Sequence, residues 1–388
     1  MPTRRIFIVA GEVSGDMHAA RLMNALKRRY ASTGIDCHFE GIGGAAMERE
    51  GLRSLVPLAQ VNVVGFWEVA KRYGFFRRLL ADCGERLRCG ASDTRLPFDV
   101  FLPVDFPGFN MRLAALARRA GVPVCWYIAP QLWAWGAERA EQFSTLIDCL
   151  LVVFPFEVEF FRQHGIDAKF VGHPLLDDEA FSTTPPADTE REPVIALLPG
   201  SRAQELKHNL PQMLRAAERV VREHSWLRVS VAAAPHLSQE LYESAVRSCG
   251  VNVHLTHDSR VLMRSARVGI IKTGTSTLEA GLLGLPFVMA YKTSALTYHI
   301  AKRKITLPHI ALVNIVAGKT VVQECIQADA TPERLADELL RILGNTPETA
   351  SRRQHIIAEL LTVRQQLGHA GAADRAAKHV VALLEQDV

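Results

Sequence analysis

Three stretches of this chain put reactive or anion-binding groups where the backbone around them favours chemistry. In residues 268–291, VGIIKTGTSTLEAGLLGLPFVMAY, an uncharged β-branched run breaks at Lys272-Thr273-Gly274-Thr275-Ser276 and a helical pattern follows. Thr275 or Ser276 suits a helix cap, Leu278, Leu282 and Leu283 share a face, and Gly284-Leu285-Pro286 ends the helix. A helix N-terminus fed by Gly274, Thr275 and Ser276 presents free N–H groups and partial positive charge, which suits a phosphate. Glu279, one turn inside, is positioned to accept from two neighbouring hydroxyls such as those of a ribose. An ordinary βαβ crossover with a surface glutamate is the alternative. In the second stretch, Arg202 stands in the turn Pro199-Gly200-Ser201-Arg202 after the strand pattern 194–198, where an arginine can meet an anion bidentately; a surface arginine is the plain reading. In the third, Asp105 follows the strand pattern 99–104 and precedes Phe106-Pro107-Gly108-Phe109-Asn110 and a helix. An aspartate just past a strand end is where α/β proteins put chemistry, helix capping being the alternative.

The elements that must hold these residues alternate between strand and helix. Residues 5–10 read as a buried strand, Gly11 to Asp16 as a turn, and 17–29 as a helix. The glycines of that turn do not make G-x-G-x-x-G, so the dinucleotide fingerprint fails, and Glu40 near the end of strand 37–40 is a weak ribose acid. Gly41-Ile42-Gly43-Gly44 reads as a second glycine loop beside the first, which implies a crevice at the carboxyl ends of neighbouring strands. Further strands are expected at 122–128, 149–153 and 170–171. Trp133 and Trp135 lie in the rigid loop 129–136, and His173, in Gly172-His173-Pro174, reads as structural. Residues 177–193 are polar and proline-rich, as in an interdomain linker. A second βα series follows, with a helix at 209–222 and strands at 227–232 and 252–255. Ala/Leu/Arg-rich helices run from Pro332 onward. The pattern predicts an α/β protein with two Rossmann-like parallel-sheet domains, 1–180 and 190–345. The helices of 346–388 cover the sheets or cross back to the first domain.

Composition narrows the class. The chain has 388 residues, more than one ordinary core holds. A net charge of +4 without a long basic run argues against a nucleic-acid binder. Seven scattered cysteines without C-x-x-C argue against a disulfide framework or structural zinc, and no metal-ligand cluster is evident. The apolar run at 6–10 is too short for a signal peptide, and no window approaches the ~20 apolar residues of a membrane span. Residues 63–80 interleave Phe66, Trp67, Tyr73, Phe75 and Phe76 with Lys71, Arg72, Arg77 and Arg78. That mixture suits an interfacial helix with aromatics in lipid and bases at headgroups, against the alternative of a core helix with a charged outer face.

The motifs taken together are specific. GEVSGDMHAA (11–20), GIGG (41–44), VDFPGFN (104–110), APQLWAWG (129–136) and FPFEVEFF (154–161) lie in the first half. VGHPL (171–175), LLPGSRAQE (197–205), GTSTLEAGLLGLPFV (274–288), LVN (312–314) and QECIQ (323–327) follow in order. Two Rossmann-like halves resemble GT-B glycosyltransferases, in which the domains face a central cleft, and the ordered blocks resemble the lipid-A-disaccharide synthase family. The resemblance departs at Gly108, where the family often has a second Asp, and at Gly136, where it often has Arg; Lys272 is a candidate replacement for that Arg.

The resemblance implies condensation of UDP-2,3-diacylglucosamine with 2,3-diacylglucosamine 1-phosphate (lipid X) to a β(1→6) disaccharide 1-phosphate and UDP. It implies no cofactor, no metal, and work at the cytoplasmic face of a Gram-negative inner membrane; a homodimer is left open. Inversion requires a base for the acceptor hydroxyl. By resemblance and position that base is Asp105, with Asp16 and His18 as the neighbouring candidates beside Gly15. Arg202 with Ser201, and the N–H groups at Gly274–Ser276, would stabilise the departing UDP. Glu279 would hold the ribose, and Asn314, Glu324 and Gln327 would line the donor pocket. Phe66, Trp67, Phe75, Phe76, Arg77 and Arg78 would meet the bilayer. Another GT-B enzyme, a peptidoglycan-type N-acetylglucosaminyltransferase or a UDP-sugar epimerase, is the near alternative. A catalytically silent lipid- or nucleotide-binding protein is the distant one.

Overall fold

A computed structural model describes residues 2–62, 72–92, 94–247, 249–304, 307–344 and 346–385. The chain forms two compact units, Met1–Asp177 with Gly368–Val388, and Asp178–Leu367. Each is built on one parallel sheet.

The first unit holds seven strands: β1 (Thr3–Ala10), β2 (Asp36–Gly43), β3 (Leu52–Pro57), β4 (Val100–Val104), β5 (Cys125–Tyr127), β6 (Cys149–Val152) and β7 (Ala168–Phe170). Their order is β3-β2-β1-β4-β5-β6-β7. Ile6 to Ala10 are wholly buried, as a central parallel strand covered on both faces requires. β1 pairs with β2 through Ile8↔Gly41 and with β4 through Ile8↔Leu102. The Val13–Ala31 helix buries Ala19, Leu22, Met23 and Leu26. The helix Ala372–Glu385 packs on it through small residues. Asp177 fixes the start of that last helix, accepting from the N–H groups of Gly371 (2.6 Å), Ala372 and Ala373 (both 3.0 Å).

The second unit holds β8 (Glu192–Leu198), β9 (Arg228–Ala232), β10 (Val253–Thr256), β11 (Ala266–Lys272), β12 (Phe287–Tyr291) and β13 (Glu324–Ile326), ordered β10-β9-β8-β11-β12-β13. The helices Ala203–Glu223 and Pro332–Leu343 pack together. The buried Arg191 donates to the carbonyls of Met263, Arg264, Ala266 and Leu283.

Several elements differ from expectation for physical reasons. β2 runs on to Gly43, so three of the four glycine-loop residues pair in the sheet. Residues 52–57 form an edge strand that its half-buried, non-alternating composition did not announce. The helix expected at 209 starts at Ala203, because Pro211 reads as a first-turn residue but sits in the interior. The polar stretch 177–193 is not a free tether. It contains the short helix Glu179–Ser182, whose Phe181 is fully buried under the Arg260 guanidinium. Glu40 is wholly buried and held by Arg86 at 3.1 Å and by the Ser92 hydroxyl at 2.6 Å, so it is no ribose acid.

Of the expected membrane residues, Phe66 and Trp67 lie outside the described residues. Phe75 and Phe76, on the helix Tyr73–Cys89, are half-buried against the first unit's core, with Phe76 ring-to-ring with Phe109 at 6.5 Å. Their rings therefore serve the protein's own packing at least in part. Arg77 and Arg78 are exposed, as is Tyr73 at 61%. Among the described residues no helix is long and apolar enough to cross a membrane.

A Cβ added at Gly41 would lie 1.9 Å from the Ile8 carbonyl oxygen. Gly41→Ala is therefore expected to cost about 3 kcal/mol or more, read as a lowered urea midpoint. A wild-type midpoint would mean that the β1–β2 backbones are not so close.

Candidate active site

Each sheet reverses its winding once, between β1 and β4 in the first unit and between β8 and β11 in the second. The loops leaving the carboxyl ends of such a strand pair diverge, and the space between them is the favoured ligand position of open α/β sheets.

In the first unit the two loops are Gly11–Glu12, since the helix expected from 17 already starts at Val13, and Asp105–Phe106, since the next helix starts at Pro107. Asp105 and Phe106 both have left-handed backbones, φ 49° and 51°. Such conformations cost about 1–3 kcal/mol each and persist only where the surroundings impose them. Here Asn110 imposes them, donating from Nδ2 to the Asp105 carbonyl (2.8 Å) and to the Val9 carbonyl (3.3 Å). Gly11 is the second constraint: a Cβ there would fall 2.3 Å from the Phe106 ring. Phe106 in turn stacks on Phe109, with centroids 5.6 Å apart. The kinked turn leaves the Asp105 carboxyl half-buried. Burial, and then the nearby charge of Glu12, push it up to about 6, against an opposing hydrogen bond from the Phe106 N–H.

Asp16 has a different occupation. It accepts from the N–H groups of Gly44 (2.8 Å) and Met47 (3.1 Å) on Oδ1, and from Ala46 (3.1 Å) on Oδ2. It thus ties the first turn of the Val13–Ala31 helix to the start of the Ala45–Arg49 helix, which is a positioning task. Gly15 is buried beneath it, against Ala10. His18 is half-buried near His173. Burial, and then the charge of His18, hold His173 down to about 3, so it is neutral at physiological pH; its Nδ1 accepts from the Leu175 N–H at 3.2 Å.

Sequence reasoning passed over Glu157. It is buried, receives Trp133 Nε1 (2.9 Å) and the N–H groups of Val153 (3.1 Å) and Phe154 (3.0 Å), and so clamps the aromatic loop to the end of β6. Burial pushes its carboxyl up to about 7. The signal was there: a glutamate at the third position of a helix that opens with Pro155.

In the second unit a cavity of about 460 Å³ sits at the β8/β11 switch point. Ser201, Arg202, Gly274, Thr275 and Ser276 all line it, together with Lys272, Glu205 and His236. Two helix N-termini meet there, those of Ala203–Glu223 and Thr275–Leu282, so partial positive charge adds to the two cations. Glu205 was not anticipated. It pairs with Lys272 Nζ at 2.8 Å and Arg202 Nη1 at 3.3 Å, and it receives the Ser201 N–H at 3.2 Å. Gly200, at φ 112°, makes this possible, since a Cβ there would sit 2.4 Å from the Glu205 carboxylate.

The remaining expected donor residues face other partners. Glu279 is not among the residues lining the cavity. It lies 3.5 Å from Arg260, which also pairs with Asp178 at 3.0 Å, and burial raises its carboxyl. Asn314 is fully buried, accepting from Val321 and Val322 N–H (2.8 and 2.9 Å) and donating to the Val322 carbonyl and Glu324. Glu324 accepts from Ile310 and Ala311 N–H, the two residues just before the Leu312–Ala317 helix. Gln327, at φ 51°, makes a two-bond clasp with the Thr293 backbone, at 2.8 and 3.1 Å. These three set the loops beside the sheet's carboxyl edge. Their amide and carboxylate groups are consumed by backbone partners that sequence spacing does not reveal.

Two parallel-sheet units of this kind are the architecture of the GT-B class. A solved structure of UDP-N-acetylglucosamine 2-epimerase shares the fold, with a TM-score of 0.64 at 14% identity, over 100% of this chain and 97% of that one. A family model for lipid-A-disaccharide synthetase matches residues 6–380. Lipid-A-disaccharide synthase from Myxococcus xanthus is 36% identical over 98% of this chain and 97% of its own length. The enzyme of that name from Anaeromyxobacter dehalogenans is 38% identical over 98% of each. The chain belongs to the lipid-A-disaccharide synthase family, glycosyltransferases of lipid A biosynthesis.

Asn314→Ala would leave two buried N–H groups without acceptors, at about 1–3 kcal/mol each. Thermal unfolding should show a marked fall in Tm, with nucleotide affinity of the folded protein retained. Lost affinity at an unchanged Tm would return Asn314 to the donor pocket.

Proposed function

We propose that this chain transfers 2,3-diacylglucosamine from UDP to the 6-hydroxyl of 2,3-diacylglucosamine 1-phosphate with inversion at the anomeric carbon. In that step the acceptor oxygen bonds to the anomeric carbon from the face opposite the diphosphate. The bond to the diphosphate oxygen breaks, and its electron pair leaves with UDP. The hydroxyl proton goes to the Asp105 carboxylate. The observation that carries the reading is Asp105 itself: a half-buried carboxyl, raised to about 6, on a strained turn at the β1/β4 crevice. A base of that strength is ionised at neutral pH yet accepts a proton more readily than an ordinary aspartate.

The departing UDP gains negative charge. Arg202, Lys272 and the N–H groups at Gly274–Ser276 are the groups assigned to stabilise it, and Glu205 must yield its two cations as the diphosphate arrives. Glu279 is assigned to the ribose hydroxyls, with Arg260 orienting it. Asp16 is assigned to fixing the start of the Val13–Ala31 helix against residues 44–47, and His18 stands two residues further along that helix. Exposed Tyr73, Arg77 and Arg78 are the groups assigned to the bilayer surface, at the inner leaflet facing the cytoplasm, with Phe66 and Trp67 assigned to it from the sequence alone.

The assignment of Asp105 has three readouts. Asp105→Asn keeps a residue that tolerates the left-handed turn but should lower kcat on the order of 10²–10⁴-fold. In the wild type, kcat/KM should rise about tenfold per pH unit up to about 6 and then level off. Stability should move the other way. The folded carboxyl titrates above its unfolded value of 3.8, so stability is lost as pH rises from about 4 to about 6. Asparagine does not titrate, so above pH 6 the variant should melt higher than the wild type. A variant with near wild-type turnover would remove Asp105 as the base.

Glu279→Ala should weaken UDP binding roughly tenfold, the worth of hydrogen bonds to a charged group. Calorimetric titration of UDP into a variant with normal Tm checks this, and unchanged affinity would end the ribose assignment.

A further inference from the structure

The first unit carries a groove of about 420 Å³ between the Pro107–Arg119 helix and the aromatic loop. Pro107 and Gly108, two and three residues past Asp105, line it. Its walls are apolar, with Met111, Leu132, Leu146 and the ring of Trp135, which is 46% exposed. Two guanidinium groups, Arg112 and Arg139, also line it, and no carboxylate does. Arg112 is exposed and, among the described residues, makes no hydrogen bond or ion pair. Arg139 lies over the Trp135 ring at 5.1 Å and donates to the Trp135 carbonyl at 3.2 Å, again without a carboxylate partner among the described residues.

The Arg139 guanidinium rests in the space over Gly136. A Cβ at that position would fall 2.5 Å from a terminal nitrogen of the Arg139 guanidinium. The chain thus gives up a side chain at 136, and a guanidinium anchored three residues later fills the space. Lys272, in the second unit, has a different occupation on Glu205.

Two cations without counter-charge over an apolar floor are complementary to one kind of ligand, an anion joined to a hydrocarbon chain. A guanidinium held on an aromatic face is pre-ordered for a phosphate. We infer that this groove is the acceptor subsite, in which Arg112 and Arg139 hold the 1-phosphate and Met111, Leu132, Leu146 and Trp135 carry an acyl chain. The inference rests on the proposed reaction for the identity of the acceptor, because a sugar whose hydroxyl meets Asp105 would have its remainder next to Pro107 and Gly108.

The test is direct binding, with Trp135 fluorescence as the reporter. The probes are 2,3-diacylglucosamine 1-phosphate, the same glycolipid without its phosphate, and inorganic phosphate, the lipids dispersed in nonionic detergent. Wild-type protein should bind the phosphorylated lipid at least tenfold more tightly than the unphosphorylated one. In R112Q/R139Q that preference should collapse to near unity, and in R112Q alone it should fall severalfold. UDP affinity and Tm of each variant report whether it folds, and R112Q alters only an exposed side chain. Equal wild-type affinity for the two lipids, or a preference that survives in R112Q/R139Q, would overturn the phosphate assignment. Displacement of the lipid by inorganic phosphate at equal concentration would overturn the acyl part. Preferential binding without any transfer of sugar would instead defeat the proposed reaction and leave the subsite standing.

Discussion

The reversal of strand order in each sheet is the constraint on which the rest of this structure depends. Parallel strands force every crossover helix onto one face or the other. Where winding changes direction, two consecutive loops part and leave a crevice at the carboxyl edge. In the first unit that crevice lies between the loop after β1 and the loop after β4. It explains why Glu12 and Asp105, 93 residues apart in sequence, feel one another's charge. In the second unit the same geometry brings the N-termini of two helices to one cavity together with Arg202 and Lys272. Neither grouping requires a special motif once the sheet order is set.

The carboxylates divide by what surrounds them. Asp16, Glu324 and Asp177 have their oxygens occupied by backbone N–H groups, and each organises a loop or a helix start. Asp105 has burial and Glu12 against its charge and one N–H bond in its favour, which leaves its carboxyl raised and available. Glu157 shows that three donors do not always offset complete burial, since its carboxyl is still raised to about 7. The strained pair Asp105–Phe106 fits this division. Its conformational cost is met by Asn110 and by the space over Gly11.

Family membership and site roles stand at different depths. The ordered motifs and the matches at 36–38% identity over 98% of the chain establish the family. Individual roles rest on local geometry, and there the two units give different answers. In the second unit the glycine-rich turns meet at one cavity, while Asn314, Glu324 and Gln327, from the later motifs of the same ordered set, turn inward to hold the loops. A motif can therefore record a demand of folding as readily as one of catalysis.

What the sequence determined by itself is whatever depends on near neighbours. Uncharged β-branched runs ending in Gly, Thr, Ser or Asp marked β1, β4, β8 and β11 and the turns after them, because strand burial and cap chemistry act over a few residues. The two-unit α/β organisation followed from that alternation. Edges and interruptions were less legible: β3 lacks an apolar signature because an edge strand is only half covered, and Pro211 obscured a helix start eight residues upstream of it. Tertiary structure alone decided which polar groups are free. Asp16 is filled by N–H groups about thirty residues away, Arg139 rests in the space left by Gly136, and the last helix returns to the first unit under the hold of Asp177. The reason is physical: a side chain's role is set by the partners that remain after backbone hydrogen bonds and burial have been satisfied, and those partners are brought together by the sheet order.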